Sequence, residues 1–201
     1  MEKKNKNKWT VKDVITTVLL TVLLIVVQLA VNMVCMANDF VSMVLSVGVT
    51  MFLCGPVYFL MVRRVHKRFV SLIYMTILGF VFLVMGNWYL LPYYMVIGII
   101  CEAVLWKDGF ESKGKMTAAW TISSLLYNGV NLLPIWFFWD TYEAFALSSG
   151  MDQSYIDAFV HYYTSPGWLI FIILFTTACG FLGSLVGGRL IHKHFQKAGV
   201  L

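Results

Sequence analysis

The residues in this sequence whose types and spacing could do chemistry are amides set in apolar surroundings. Gln28 and Asn32 lie four apart, on one face of a helix, and Asn128 and Asn131 share a face with Ser124. An amide in such a stretch must either find a partner or line a polar cavity. Two readings stay open: hydrogen bonds that hold helices together, or groups that orient a bound molecule. Pro134, in "NGVNLLPIWFFW", can break the helix beyond these amides. The backbone carbonyls so freed are tolerated only where they line protein or a cavity. Aromatic residues crowd the same end: Trp88, Tyr89, Tyr93, Tyr94, Tyr127, Trp136, Trp139, Tyr155, Tyr162, Tyr163 and Trp168. Such rings form either an interfacial belt or the wall of a pocket for a small organic molecule.

Catalytic arrangements are thin. There is no "HExxH", no pair of acids at membrane depth and no Ser with a His there. Glu102 is the one acid expected within an apolar span. His161, beside Tyr162 and Tyr163, offers residue types that can ligate haem iron, but the group alone does not make a haem site. "HKH" at His192–His194 is a weak metal pattern, and the four cysteines Cys35, Cys54, Cys101 and Cys179 have no paired spacing. We therefore expect no enzyme, no catalytic residues, no metal site and no cofactor.

The elements that must position the amides are helices in a bilayer. Of 201 residues, 60% are hydrophobic and 12% charged, more apolar surface than one soluble core of this size hides. A span needs about 20 mainly apolar residues, and six stretches approach that: Val14–Ala37, Phe40–Val62, Phe69–Gly86, Pro92–Trp106, Met116–Trp139 and Pro166–Ile191. The first run is too long for the core of a signal peptide and lacks a small-residue cleavage site, so it is expected to remain as a span. The expected fold is all-α: one polytopic membrane domain of six transmembrane helices over 14–191, with a basic start at 1–13 and a basic tail at 192–201.

Charge agrees with that count. With six spans, all 15 Lys and Arg fall on one side, in the N-terminal segment, at Arg63–Arg68, at Lys107–Lys115 and in the tail. Asp39, Asp140, Glu143, Asp152 and Asp157 fall on the other. The positive-inside rule then makes both termini cytoplasmic. The net charge of +5 is parcelled out to loops rather than gathered on one folded face, so nucleic acid is not an expected partner. The 26 residues from Asp140 to Ser165 exceed a mere connector and show amphipathic periodicity in two short pieces, as a cap over an external pocket would. Gly183 and Gly187 form a GxxxG face suited to close packing within the bundle.

The Lys-rich start leading to "WTVKDVITT", the "KDGFESKGK" loop and the ending "GGRLIHKHFQKAGVL", sharpest over His194–Gly199, resemble the Trep_Strep group of bacterial membrane proteins. That group is similar to the S components of energy-coupling factor (ECF) transporters. The resemblance implies a subunit of the bacterial plasma membrane that captures a vitamin-like or other micronutrient from outside. It would dock on a membrane T component driven by cytoplasmic ATPases. It implies a ligand pocket near the outer ends of the spans, for which the candidates are Gln28, Asn32, Trp88, Tyr93, Tyr127, Asn128, Asn131 and Trp136. It also implies docking through the first span, where Thr17 and Thr21 stand in place of the family's Ala-xxx-Ala. The alternative is a scaffold or accessory membrane subunit of another ABC system, which would need no external pocket.

Overall fold

The structure is a computed structural model that describes residues 8–107 and 109–191. The basic start as far as Lys6, Asp108, and the tail with His192, His194 and the His194–Gly199 ending lie outside the described residues. Among the described residues the chain is all helical. In order come α1 (Val11–Cys35), a π-helical turn (Val41–Leu45), α2 (Ser46–Val65), α3 (Val70–Val84), α4 (Leu90–Val104), α5 (Lys113–Tyr127), α6 (Gly129–Phe137), α7 (Trp139–Ser148), α8 (Gln153–Thr164) and α9 (Pro166–Leu190).

The all-α class holds, but the expectation of six transmembrane helices does not. Among the described residues three segments are long and apolar enough to cross a membrane: Val11–Cys35, Val41–Val65 and Pro166–Leu190, each of 25 residues. The other three expected spans fail for local backbone reasons. Phe69 is left-handed (φ 73°) and so cannot continue a helix, and Gly86 (φ 94°) follows the far end, leaving α3 with 15 residues. Left-handed Lys107 (φ 56°) lies beyond α4, which also has 15 residues. At about 1.5 Å per residue each of these helices is about 22 Å long, short of a hydrocarbon core of about 30 Å. The fifth apolar run is divided at Asn128 into α5 and α6.

Local sequence explains the helix starts. Thr10 and Asp13 form a reciprocal capping box on α1, with Thr10 N–H donating to Asp13 Oδ2 at 2.9 Å. Ser112 caps α5 by accepting from Lys115 N–H. Glu102, near the end of α4, accepts the N–H groups of Phe69 and Ser71, each at 2.8 Å. A carboxylate there satisfies donors that the first turn of α3 cannot pair internally and complements its dipole. The one acid expected in an apolar span is thus a capping group.

Packing centres on α2, which lies against α1, α5 and α9, while α3 and α4 pair with each other. Trp120 is fully buried, stacks on Tyr58 at 4.6 Å and donates its indole N–H to Met51 O at 3.0 Å. Gly183 and Gly187 serve the α2–α9 crossing: a Cβ on Gly183 would strike the backbone of Phe52, and one on Gly187 would sit 2.9 Å from Pro56 Cα. The small-residue face is therefore used inside the chain.

The outer helices leave apolar surface uncovered. Within its most apolar stretch α1 is only 22% buried and α9 28%, against 61% for Val41–Val65. Ile15, Leu19, Val22 and Val26 on α1 point outward, and exposed surface of that kind and extent calls for lipid. One end of the molecule gathers the basic residues. There Lys67 Nζ lies 3.8 Å from Asp13 Oδ2, Arg63 donates to Phe110 O and Glu111 O at 3.3 and 3.0 Å, and the Arg68 guanidinium sits 4.4 Å over the Trp106 ring.

Candidate functional site

At the opposite end a cavity of about 190 Å³ lies on the seam between two apolar clusters. Val47 and Tyr127 reach it from the main core, Met43 and Phe159 from a smaller cluster under the cap. Its walls come from the end of α1 (Asn32), the π turn (Ser42, Met43), the start of α2 (Ser46, Val47, Thr50), Phe82 of α3, Tyr127 and α6 (Val130, Asn131). Its roof is Tyr142 of α7 with Met151, Tyr155 and Phe159 at and within α8. The two amphipathic pieces expected over 140–165 are thus helices over a cavity, joined at Gly150 (φ 75°), where the left-handed backbone favours glycine.

Hydrogen bonds pin the roof. The Ser42 and Tyr155 hydroxyls lie 2.8 Å apart, and the buried Tyr163 hydroxyl donates to Met43 O at 2.9 Å. Since Tyr163 has one O–H, its oxygen accepts from the Asn131 amide, Nδ2 to oxygen 2.6 Å. That fixes the orientation of the Asn131 amide and leaves its Oδ1 without a donor among the described residues. Burial pushes the Tyr155 phenol above the ordinary tyrosine range, with Ser42 pulling the other way and Asp39 adding to the rise. Burial raises Tyr142 too, with Tyr155 and Tyr89 adding to it. Both phenols therefore stay neutral near pH 7, and among the described residues no charged side chain lines the cavity.

Beneath the cavity the amides meet tyrosines. Gln28 is buried, donates from Nε2 to Tyr74 OH at 2.6 Å and accepts at Oε1 from Tyr127 OH at 3.2 Å. Tyr93 repairs the α5–α6 break: its hydroxyl donates to Leu126 O at 2.7 Å, in the space a Cβ on Gly129 would need. The break falls at Asn128, ahead of Pro134, which is accommodated within α6. Asn128 donates to the carbonyls of Ser124 and Leu125, and its buried Oδ1 has no partner.

Of the residues expected in a pocket, Asn32, Tyr127 and Asn131 line the cavity. Gln28, Tyr93 and Asn128 lie in the supporting structure, while Trp88 and Trp136 are exposed on the surface. Thr17 and Thr21 are buried, donating to Asp13 O at 2.8 Å and to Met61 Sδ at 3.8 Å, so their face of α1 turns inward. Sequence reasoning missed Ser42, Ser46 and Thr50, although their i, i+4, i+8 spacing in an apolar stretch is the same signal that singled out Gln28 and Asn32. Met36, Met43, Phe82 and Tyr142 carry no such signal. His161 is exposed and meets Tyr162 edge to face at 5.2 Å.

Residues 11–197 match a family model described as "Hypothetical bacterial integral membrane protein (Trep_Strep)". No curated protein and no solved structure matches the chain. With a match of that extent, and with three long apolar helices whose outer faces call for lipid, the chain belongs to the Trep_Strep family of bacterial integral membrane proteins.

Proposed function

We propose that this protein is a binding subunit rather than a catalyst: the substrate-binding S component of an ECF-type ABC importer, capturing a small micronutrient from outside. The observation that carries this reading is the roofed, uncharged cavity at the end opposite the basic residues. A scaffold subunit has no need of a cavity whose roof is a separate helical pair. By the excess of Lys and Arg, the basic end, where α1 starts and α9 ends, faces the cytoplasm and the cavity opens outward. The apolar outer face of α1 is then the surface that meets a T component, with cytoplasmic ATPases driving release.

The test is coexpression with the host's candidate T component and ATPases, purification in mild detergent and native mass spectrometry. A stoichiometric complex carrying a releasable small molecule is expected. A protein that purifies alone and empty, with its partners confirmed as expressed, would overturn the reading in favour of an accessory subunit of another ABC system.

A further inference from the structure

We infer that the cavity takes an uncharged, planar molecule of one or two rings that presents a hydrogen-bond donor and acceptor on one edge. This deepens, and rests on, the binding-subunit reading above.

Charge is decided by the walls. Among the described residues no Asp, Glu, Lys, Arg or His lines the cavity. An anion there would lose its hydration without gaining a counter-ion and would meet the repulsion of Asp39, which already acts on Tyr155, while a cation would find no carboxylate among the lining residues. Neutral groups, by contrast, wait to be used. Thr50 Oγ1 is buried, its residue 1% exposed, and it has no hydrogen-bond partner. Asn131 Oδ1 has no donor, because the Tyr163–Met43 bond commits the other end of that amide. Asn32 and Tyr142 line the cavity with no side-chain hydrogen bond among the described residues. A hydroxyl that can both give and take and an amide acceptor, on two residues that line one cavity, suit a ligand edge such as –C(=O)–NH–.

Shape is decided by the rings. Tyr142 and Phe159 stack at 4.7 Å with 25° between their planes, and Phe82 and Tyr127 add two more lining rings from other helices. Met36, Met43 and Met151 fill between them, and thioethers adapt to ring edges. A volume of about 190 Å³ is below the roughly 300–1,000 Å³ of pockets for drug-sized ligands, which limits the occupant to about two rings.

The experiment uses the full-length protein in mild detergent and a panel of one- and two-ring heteroaromatic amides, each paired with its carboxylate isostere, nicotinamide against nicotinate being one pair. Binding is read by equilibrium dialysis. At least one amide is expected to bind, with its carboxylate at least tenfold weaker. Thr50→Val should weaken the amide about fivefold or more while leaving the thermal stability of the ligand-free protein unchanged or higher, since it removes an unpaired buried hydroxyl. Carboxylates that bind as well as amides, or amide binding indifferent to Thr50→Val, would overturn the inference. So would native mass spectrometry releasing a charged molecule from the coexpressed complex, a result that leaves the importer reading standing. Amide binding that depends on Thr50, in a protein that never assembles with a T component, would sink the importer reading and support the ligand class.

Discussion

Tyr127 faces the cavity and, through the same hydroxyl, holds Gln28 of α1 at 3.2 Å. The Gln28 amide then reaches Tyr74 of α3 at 2.6 Å, so a single side chain ties three helices beneath the cavity floor. Both ends of the amide are used, and the two phenols depend on it.

Replacing Gln28 with Leu should therefore cost about 1–3 kcal/mol for each buried hydroxyl left unpaired. The triple variant with Tyr74→Phe and Tyr127→Phe should regain most of that loss, because neither phenol is then left without its amide partner. Chemical unfolding in mild detergent would show this. If the single and triple variants were equally unstable, the network would not be what holds these helices.

The α2–α9 crossing discriminates between neighbouring glycines. Gly183→Ala drives a Cβ into the backbone of Phe52, which cannot swing aside, and should destabilise by about 1–3 kcal/mol. Gly188→Ala would place its Cβ 3.6 Å from Phe59 Cε1, ordinary contact, and should stay within about 0.5 kcal/mol of the parent. Equal effects in a thermal-shift comparison would refute this placement of the crossing.

His66 ends α2 at the basic end, and burial holds its imidazole below the ordinary value near 6.5, with Arg63 and Lys67 pushing the same way and Glu111 opposing. The unfolded chain thus binds a proton more readily than the folded one. Stability should rise with pH through the interval from below the folded pKa to just above 6.5, and fall on acidification through it. His66→Gln should flatten that part of the profile of melting temperature between about pH 5 and 8. An unchanged slope would assign the dependence to another group.

How much of this was legible in the sequence depended on whether a feature was local. The runs containing α1, α2 and α9 are uninterrupted, so composition alone located them. The ends of α3 and α4 are set by left-handed residues, Phe69 and Lys107, that no hydropathy pattern marks. The Asn128 break relies on Tyr93, brought in from another helix. Gln28 stood out as an amide in an apolar run, but its partners lie 46 and 99 residues away. Ser42, Ser46 and Thr50 carry the same four-residue spacing as Gln28 and Asn32, but hydroxyls usually bond back to their own helix, as Ser46 does to Ser42 O, so the spacing alone does not mark Thr50 as unpartnered.

The Ser42–Tyr155 pairing bears on time rather than on strength of binding. That bond holds the roof against the π turn and joins two residues of the cavity lining to each other. Tyr155→Phe should therefore loosen the roof for arriving and departing molecules alike, raising association and dissociation rates together while the equilibrium constant moves little. Stopped-flow mixing with a bound amide would separate the cases, and a change confined to the dissociation rate would make Tyr155 a contact instead of a latch. On the proposed importer reading, such a latch would set how long a captured molecule is kept, and so how long a loaded subunit has to find the partner that empties it.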